Sequence, residues 1–261
     1  MWKNLNKSPM ESDKKTNYNE LDFEAFKNRA LDSSLSKYEK IGFPDTYREG
    51  KESLIFDDLN NKLDLKRENI SILDIGCGCS DLVHLLIENA TKCSQQLILN
   101  DCEEMLKLVE NNSNAVKIVG KFPDNFDSLE KHKGSLDVII TYSVLHIVTL
   151  KDNPFNFIDK ALELLNSGGA LFLGDIQNIS KRNRFFQSEA GQIQHKEFMG
   201  SDTQIPPPQT GFPESYTRID DAILLSIMAR YRGLGFETYL LPQNKDLPFG
   251  NRREDLLIVR N

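Results

Sequence analysis

A glycine-rich turn between a predicted strand and a predicted helix constrains the fold of this chain more than any other feature. Residues 72–82 read ILDIGCGCSDL, so a β-rich run ends at Ile75 and an amphipathic segment begins at Ser80. Glycines at such a junction let the backbone approach a ligand closely, and the first turn of a helix presents free N–H groups to an acceptor. The segment therefore predicts a ligand-binding turn at the edge of an α/β sheet.

Short β-rich runs alternate with amphipathic segments after residue 65. Strands are predicted at 70–75, 96–100, 115–119, 136–141 and 170–175, and helices at 80–90, 102–110, 125–131, 153–166 and 220–232. This alternation indicates right-handed crossovers and a mostly parallel sheet that is covered on both faces. Strands predicted at 236–241 and 255–259 have no helix between them, so they are expected to pair antiparallel.

Three further segments lie outside this alternation. Residues 1–18 are polar and charged, which predicts a disordered tail. Residues 19–64 carry apolar side chains at helical spacing, which predicts an N-terminal helical cap. Residues 177–218 form a polar, proline-rich insertion, and a loop of that length is typically functional or disordered. The main domain is predicted at 65–261.

Composition and charge narrow the range of partners. The 261 residues carry a formal net charge of −7, which disfavours nucleic acid and anionic membranes as partners. The sequence shows no signal peptide and no apolar run that could span a membrane, so a cytoplasmic location is expected. The cysteines all lie between residues 77 and 102, which favours reduced thiols. No Cys or His pair accompanies Cys77 and Cys79, so no metal site is expected.

The turn departs from the dinucleotide-binding fingerprint at one position. The third glycine of Gly-x-Gly-x-x-Gly would fall at position 81, which is an aspartate. A carboxylate there would repel a pyrophosphate, which disfavours an NAD-linked oxidoreductase. Asp101, at the end of the next predicted strand, can accept hydrogen bonds from both hydroxyls of a ribose. The residues favour a cofactor with a ribose and an amino-acid end but no phosphate.

From about residue 69 to the C-terminus, the sequence resembles the class I S-adenosylmethionine-dependent methyltransferases. The resemblance rests on DIGCG at 74–78, Asp101, LDVII at 136–140, LLNSGG at 164–169 and GLGF at 233–236. It implies a Rossmann-like α/β fold whose seven-stranded, mostly parallel sheet has an antiparallel last strand. It also implies S-adenosyl-L-methionine as the cofactor and S-adenosyl-L-homocysteine as the product.

The resemblance also implies which residues bind the cofactor. They follow the first four predicted strands and are Asp74, Gly76, Cys77, Gly78, Asp101, Cys102, Lys121, Phe122, Thr141, Tyr142 and Ser143. Cys79 and Ser80 stand where the family often has a small residue and a third glycine. This departure concerns the contacts near the cofactor carboxylate and not the fold.

Candidate catalytic residues are His146, His195 and Asp175. A histidine can act as a general base near neutral pH, and His146 follows the fourth strand, where the acceptor pocket of this family opens. His195, in the insertion, could equally orient an acceptor. Asp175 ends the fifth strand, at the edge where ligands bind in open α/β sheets. The alternatives are a packing role for His146 and a loop cap for Asp175.

Candidate acceptor-binding residues come from the insertion and the cap: Lys181, Arg182 and Arg184, with Tyr47 and Arg48. Arginine binds phosphate or carboxylate through two hydrogen bonds, so this cluster suits an anionic small-molecule acceptor. The alternative is a solvated charged surface. A sugar hydroxyl acceptor would need a base, whereas a phosphate-like oxygen would need only placement by cations.

The predicted function is methyl transfer to a small acceptor, most simply at an oxygen of a sugar, nucleotide-linked or phosphorylated metabolite. A looser similarity, carried by LSKYEKIGFP at 35–44 and GDI at 174–176, is to bacterial methyltransferases of surface-polysaccharide (capsule) gene clusters. A non-catalytic S-adenosylmethionine-binding regulator and a protein methyltransferase are the alternatives. The sequence leaves the acceptor, the methylated atom and the oligomeric state open.

Overall fold

The chain folds around a seven-stranded sheet in the order β3-β2-β1-β4-β5-β7-β6. The computed structural model describes residues 21–209, 217–247 and 249–261, so the tail predicted at 1–18 lies outside the described residues. The strands are β1 (Ser71–Ile75), β2 (Gln96–Asp101), β3 (Ala115–Val119), β4 (Leu136–Tyr142), β5 (Leu165–Gln177), β6 (Phe236–Pro242) and β7 (Arg253–Arg260).

The pairing of the strands confirms the predicted fold class. β1 pairs in parallel with both β2 and β4, β2 with β3, and β4 with β5. β7 pairs antiparallel with β5 and with β6. The chain therefore leaves β1 towards β2 and returns on its other side as β4, and such a reversal opens a crevice at the carboxyl ends of the strands.

Eleven helices connect or flank the strands within the described residues. They are α1 (Phe23–Leu31), α2 (Lys37–Lys40), α3 (Asp45–Arg48), α4 (Glu52–Leu63), α5 (Asp81–Lys92), α6 (Glu103–Leu106), α7 (Leu145–Lys151), α8 (Pro154–Leu164), α9 (Ile179–Gln187), α10 (Glu189–Met199) and α11 (Asp221–Gly233). No helix in these ranges is long and apolar enough to cross a membrane.

Two apolar cores, one on each face of the sheet, hold these layers together. Leu73 and Ile75 of β1 pack on one face with side chains of α8 and α11. Ile72 packs on the opposite face with side chains of α4, α5 and α6. This division follows from the two-residue period of a strand, which points successive side chains to opposite faces.

Several predicted elements differ from those observed. The insertion at 177–218, which was expected to be a long loop, contains the helices α9 and α10. The capping side chains of Asn178 and Ser188 start these two helices, a local signal that outweighs the polar composition. The helix predicted at 125–131 forms two short 3-10 turns instead.

Candidate active site

A cavity of about 430 Å³ opens at the carboxyl ends of β1, β2, β3 and β4, and is called the first cavity here. Nine of the eleven predicted cofactor-binding residues line it: Asp74, Gly76, Cys77, Gly78, Asp101, Lys121, Phe122, Tyr142 and Ser143. The other two do not. Thr141 is fully buried, and Cys102 is buried with its backbone N–H directed at Asp101.

The glycine turn requires glycine at two positions for steric reasons. Gly76 has a φ of +74°, and a Cβ there would lie 2.7 Å from Cγ2 of Val144. Gly78 has a φ of +63°, and a Cβ there would lie 2.6 Å from Cγ2 of Ile41 in the cap. The turn is therefore held between the segment after β4 and the cap, with its backbone along the cavity wall.

Asp101 presents a carboxylate that is oriented by backbone groups. Its Oδ2 accepts a hydrogen bond from the N–H of Gly78 at 2.9 Å, and its Oδ1 accepts one from the N–H of Cys102 at 2.7 Å. Burial raises the pKa of this carboxyl, while the two hydrogen bonds oppose the rise. Since each carboxylate oxygen can accept two hydrogen bonds, Asp101 can still accept from two ligand hydroxyls.

The first cavity is acidic overall. Among the described residues that line it, the acidic ones are Asp22, Glu24, Asp74, Asp101 and Asp152, and the basic ones are Arg48, Lys121 and Lys151. Lys121 is paired with Asp152 at 2.8 Å. Asp74 is almost fully buried, and burial together with the nearby charge of Asp101 raises its pKa to about 7. Such a site favours a cationic ligand.

A second cavity of about 710 Å³ adjoins the first and is called the second cavity here. The cap, the insertion and the connection between β6 and β7 form its walls. It shares five lining residues with the first cavity: Phe26, Ile41, Phe43, Ser143 and Ile147. A molecule in one cavity can therefore meet a molecule in the other near Ser143, at the end of β4.

Aromatic rings and arginines dominate the second cavity. Its aromatic lining consists of Phe26, Phe43, Tyr47, Phe185, Phe186, Phe198 and Phe249. Its charged lining consists of Lys51, Arg182, Lys245, Arg252 and Arg253, against Glu197 and Asp246. The guanidinium of Arg252 lies 4.5 Å from the ring centre of Phe249, and that of Arg182 lies 4.8 Å from the ring centre of Phe186. The rings hold the arginines in place by cation–π contact.

Both candidate histidines line the second cavity. His146 is buried, and its Nδ1 has no hydrogen-bond partner among the described residues. Burial, aided by the charge of Arg253, lowers the pKa of His146 to about 3. The pKa of His195 is also lowered, first by burial and then by Arg252. The imidazole of His146 is therefore neutral at physiological pH and is a weak base.

Asp175 does not line either cavity, which departs from its expected role as a catalytic residue. It is buried, and its carboxylate is engaged by Arg253, by the hydroxyl of Ser143 and, at 3.3 Å, by Nε2 of Gln243. Asp175 thus holds Arg253 and Ser143, which do line the second cavity. Asp175 lies within β5, two residues before the end of the strand, and its contacts are those of a positioning residue.

The three basic residues of the insertion, Lys181, Arg182 and Arg184, have different surroundings in the folded chain. Only Arg182 lines the second cavity. Arg184 pairs with Asp221, and Nζ of Lys181 donates to the carbonyl of Arg253 at 2.6 Å. Because α9 turns by about 100° per residue, side chains two positions apart point to nearly opposite sides of the helix. Lys181 and Arg184, which were expected to bind the acceptor together with Arg182, thus lie outside the lining of the second cavity.

The two candidate residues of the cap, Tyr47 and Arg48, line different cavities. Tyr47 lines the second cavity and packs its ring 4.6 Å from that of Phe249. Arg48 lines the first cavity instead, where it pairs with Glu52. Phe249, Arg252 and Arg253 also line the second cavity, and no sequence motif pointed to them. The local sequence signal for these residues is the pair of adjacent arginines at 252–253, which stands out in an acidic chain. Their position next to the insertion results from tertiary packing.

Within the described residues, no group of three or more His, Cys, Asp or Glu side chains is arranged to hold a metal ion. Two adjoining cavities of opposite charge make up the site. The acidic one lies at the strand ends, and the basic one lies between cap and insertion.

Comparisons with solved structures support this fold. The plantazolicin methyltransferase BpumL, in complex with a triazolic desmethylPZN analogue and SAH, is 13% identical with a TM-score of 0.55, over 92% of this chain and 98% of that one. The CurJ carbon methyltransferase is 13% identical with a TM-score of 0.52, over 88% and 62%. A putative Zn-dependent alcohol dehydrogenase from Rhodobacter sphaeroides is 13% identical with a TM-score of 0.52, over 90% and 99%. No curated protein shows significant similarity.

The fold and the site define an α/β protein that binds an organic ligand at the switch point of its sheet. Residues 66–209, more than half of the chain, match the family described as "Methyltransferase domain". This protein therefore belongs to the methyltransferase domain family.

Proposed function

We propose that this protein transfers a methyl group from S-adenosylmethionine to an anionic oxygen of a small acceptor. Membership of the methyltransferase domain family supports the reaction, and the structurally similar BpumL is described in complex with SAH. The observation that carries the proposal is the pair of adjoining cavities of opposite charge, which suits a cationic cofactor beside an anionic acceptor.

The residues of the first cavity fit this cofactor. S-adenosylmethionine has a positive sulfonium and a ribose but no phosphate, and the cavity is acidic, with Asp101 exposed to it. Asp101 would hold the ribose hydroxyls, and Asp74 would face the methionyl part from the end of β1. When bound, the cofactor supplies an electrophilic methyl group.

The second cavity supports a small, negatively charged acceptor. Arg182, Arg252 and Arg253 line it together with aromatic rings, and its described lining has five basic and two acidic residues. Arginines bind phosphate or carboxylate oxygens through paired hydrogen bonds. An apolar wall next to them would bury the uncharged part of the acceptor.

The chain contributes mainly alignment and exclusion of water. Methyl transfer is an in-line displacement, so placing the acceptor oxygen opposite the leaving sulfur supplies much of the acceleration. Ser143 lies at the junction of the cavities, and Phe43 and Ile41 of the cap cover both. His146, with a pKa of about 3, can accept a hydrogen bond but has little driving force to take a proton from a sugar hydroxyl. An oxygen that is already anionic needs no such base.

The test is a screen of hexose phosphates, nucleoside-diphosphate hexoses and their uncharged parent sugars, with release of S-adenosylhomocysteine as the readout. We expect turnover with a charged compound only. For that compound, Arg182→Met should raise KM about tenfold or more, because a charged hydrogen bond is lost. The exposed Arg67→Met is the matched control and should leave KM unchanged.

Different results would select other functions. If an uncharged sugar is methylated and His146→Ala abolishes this turnover, the anionic acceptor is contradicted. The result would instead support His146 as a general base. Tight binding of S-adenosylhomocysteine without turnover of any small molecule would favour a regulator or a protein methyltransferase. Turnover restricted to sugar-bearing anions would support a role in surface-polysaccharide modification, which otherwise rests on sequence resemblance alone.

A further inference from the structure

Arg48 is a buried cation in the wall of the first cavity. It ends helix α3 of the cap, and only 3% of its surface is exposed. Its guanidinium lies 4.7 Å from the ring centre of Phe43 and 5.7 Å from that of Tyr142. A buried charge is costly unless it is paired or binds a ligand, so its hydrogen bonds indicate what this residue does.

Only one side of the guanidinium is used by the protein. Nε donates to Oε1 of Glu52 at 2.9 Å, and Nη2 donates to Oε2 of Glu52 at 3.2 Å. Among the described residues, no acceptor is hydrogen-bonded to Nη1. Because guanidinium is a planar group with five donors, its Nη1–Nη2 edge can still bind a second carboxylate. Glu52 therefore orients Arg48 without using up its donors.

The position of Arg48 along the first cavity identifies the ligand group it would meet. The carboxyl ends of β3, β2, β1 and β4 follow one another in that order, with Lys121 after β3, Asp101 on β2, and Tyr142 on β4. β2 and β4 flank β1, so their ends are about 10 Å apart at the usual spacing of strands. If Asp101 holds the ribose and the adenine lies towards β3, the methionyl group extends towards β4.

The charges at that end match an amino-acid group. Asp74 of β1 can pair with an ammonium, and Arg48 is a cation of the first cavity's described lining whose guanidinium lies over the ring of Tyr142. The other lining cations, Lys121 and Lys151, lie after β3 and at the end of α7, and Lys121 is already paired with Asp152. Among the described residues that line the first cavity, Arg48 is therefore the buried cation that an α-carboxylate would meet at this end.

We propose that Arg48 binds the α-carboxylate of the cofactor, with Glu52 as the residue that holds its guanidinium in place. This inference rests on the proposed function, and it moves Arg48 from the acceptor site to the cofactor site. It also makes the cap part of the cofactor site, because the carboxylate is then held by a residue outside the main domain.

Titration calorimetry of the full chain with two probes tests the proposal. S-adenosylhomocysteine carries the amino-acid group, whereas 5′-methylthioadenosine keeps the adenine, ribose and thioether but lacks it. The wild type should bind S-adenosylhomocysteine more tightly. In Arg48→Met/Glu52→Gln, which removes both charges of the buried pair, the affinity for S-adenosylhomocysteine should fall about 10- to 100-fold. The affinity for 5′-methylthioadenosine should stay within about threefold of the wild-type value.

Two further variants secure the interpretation. Arg48→Lys can keep the ion pair with Glu52 but lacks the planar edge, so a smaller loss selective for S-adenosylhomocysteine is expected even if the double variant does not fold. Arg230→Met/Asp159→Asn removes an exposed pair on α11 and α8, and should leave both affinities unchanged.

Three results would overturn the assignment. Equal losses for both probes would mean that Arg48 only shapes the cavity. If the double variant keeps the wild-type affinity for both probes, Arg48 does not bind the cofactor and has an acceptor-binding or packing role. A wild type that binds neither probe would contradict the proposed function itself, and with it this inference.

Discussion

Asp74 is a residue of the first cavity whose pKa is moved by its surroundings into the physiological range. Burial and the neighbouring Asp101 raise its pKa from 3.8 to about 7. The folded chain therefore binds this proton more tightly than the unfolded chain does. Consequently, this carboxyl lowers the free energy of unfolding as pH rises from about 4 to about 7, and has no further effect above that.

The same pKa makes cofactor affinity dependent on pH. If the ionised carboxylate of Asp74 pairs with the ammonium of the ligand, only the ionised fraction of the protein binds well. With a pKa of about 7, the Kd for S-adenosylhomocysteine should be about tenfold higher at pH 6 than at pH 8. Calorimetry at the two pH values measures this, and Asp74→Asn should remove the difference.

The exposed Asp57→Asn is the control and should keep the pH dependence. If Asp74→Asn retains the tenfold difference, another group titrates and Asp74 does not contact the ammonium.

At the scale of elements, Asp81 gives a structural reason for the missing third glycine of the turn. Asp81 is the first residue of α5. Its carboxylate accepts hydrogen bonds from Nζ of Lys37 at 2.5 Å and from the hydroxyl of Tyr38 at 2.8 Å, and both donors belong to α2 of the cap. The side chain that disfavours a pyrophosphate therefore attaches the cap to the glycine turn.

Removing this attachment should loosen α2 without unfolding the main domain. Local opening is governed by the few contacts that hold an element, so Asp81→Ala should increase tryptic cleavage after Lys37 and Lys40 about three- to tenfold. Glu88→Ala is a matched control on α5, since Glu88 forms only an exposed ion pair with Lys92. Equal cleavage of the two variants would show that other contacts hold the cap.

At the scale of the whole molecule, the effect of a ligand on Tm should distinguish S-adenosylmethionine from NAD as the cofactor bound at the glycine turn. A ligand that binds only the folded state adds about 2.7 kcal/mol of stability at 100 times its Kd. For a protein of this size, S-adenosylhomocysteine at that excess should raise Tm by about 5–10 °C. NAD at the same concentration should leave Tm unchanged. A rise with NAD and none with S-adenosylhomocysteine would contradict the proposed cofactor.

The first cavity was largely predictable because its residues follow local rules. Gly76 and Gly78 lie in the turn that follows β1, Asp101 ends β2, and parallel strands bring their carboxyl ends to one edge. The exceptions, Cys102 and Thr141, are next to lining residues but point into the protein. Whether a residue at a strand end lines the cavity depends on the direction of its side chain. A strand predicted from sequence does not fix that direction at its last residue.

The second cavity was not predictable in the same way. Arg182 and Arg253 are distant in the chain. They line the same cavity because β5 pairs with β7, which begins at Arg253, and because α9, which carries Arg182, follows β5 directly. The charge of Arg253 and the burial of His146 together make that histidine a weak base, and neither is visible in the sequence around His146. Assigning it as a general base requires knowledge of its surroundings.

The sequence by itself determined the α/β fold, the glycine turn after β1 and the acidic residue at the end of β2, because each arises from a strand, its period and the residues at its end. Only the tertiary structure decided that Arg182 faces a ligand cavity while Arg184 does not, that Asp175 holds Arg253, and that Arg48 belongs with the first cavity. These outcomes depend on which distant segments pack together and on the direction of each side chain, and both are properties of the folded chain.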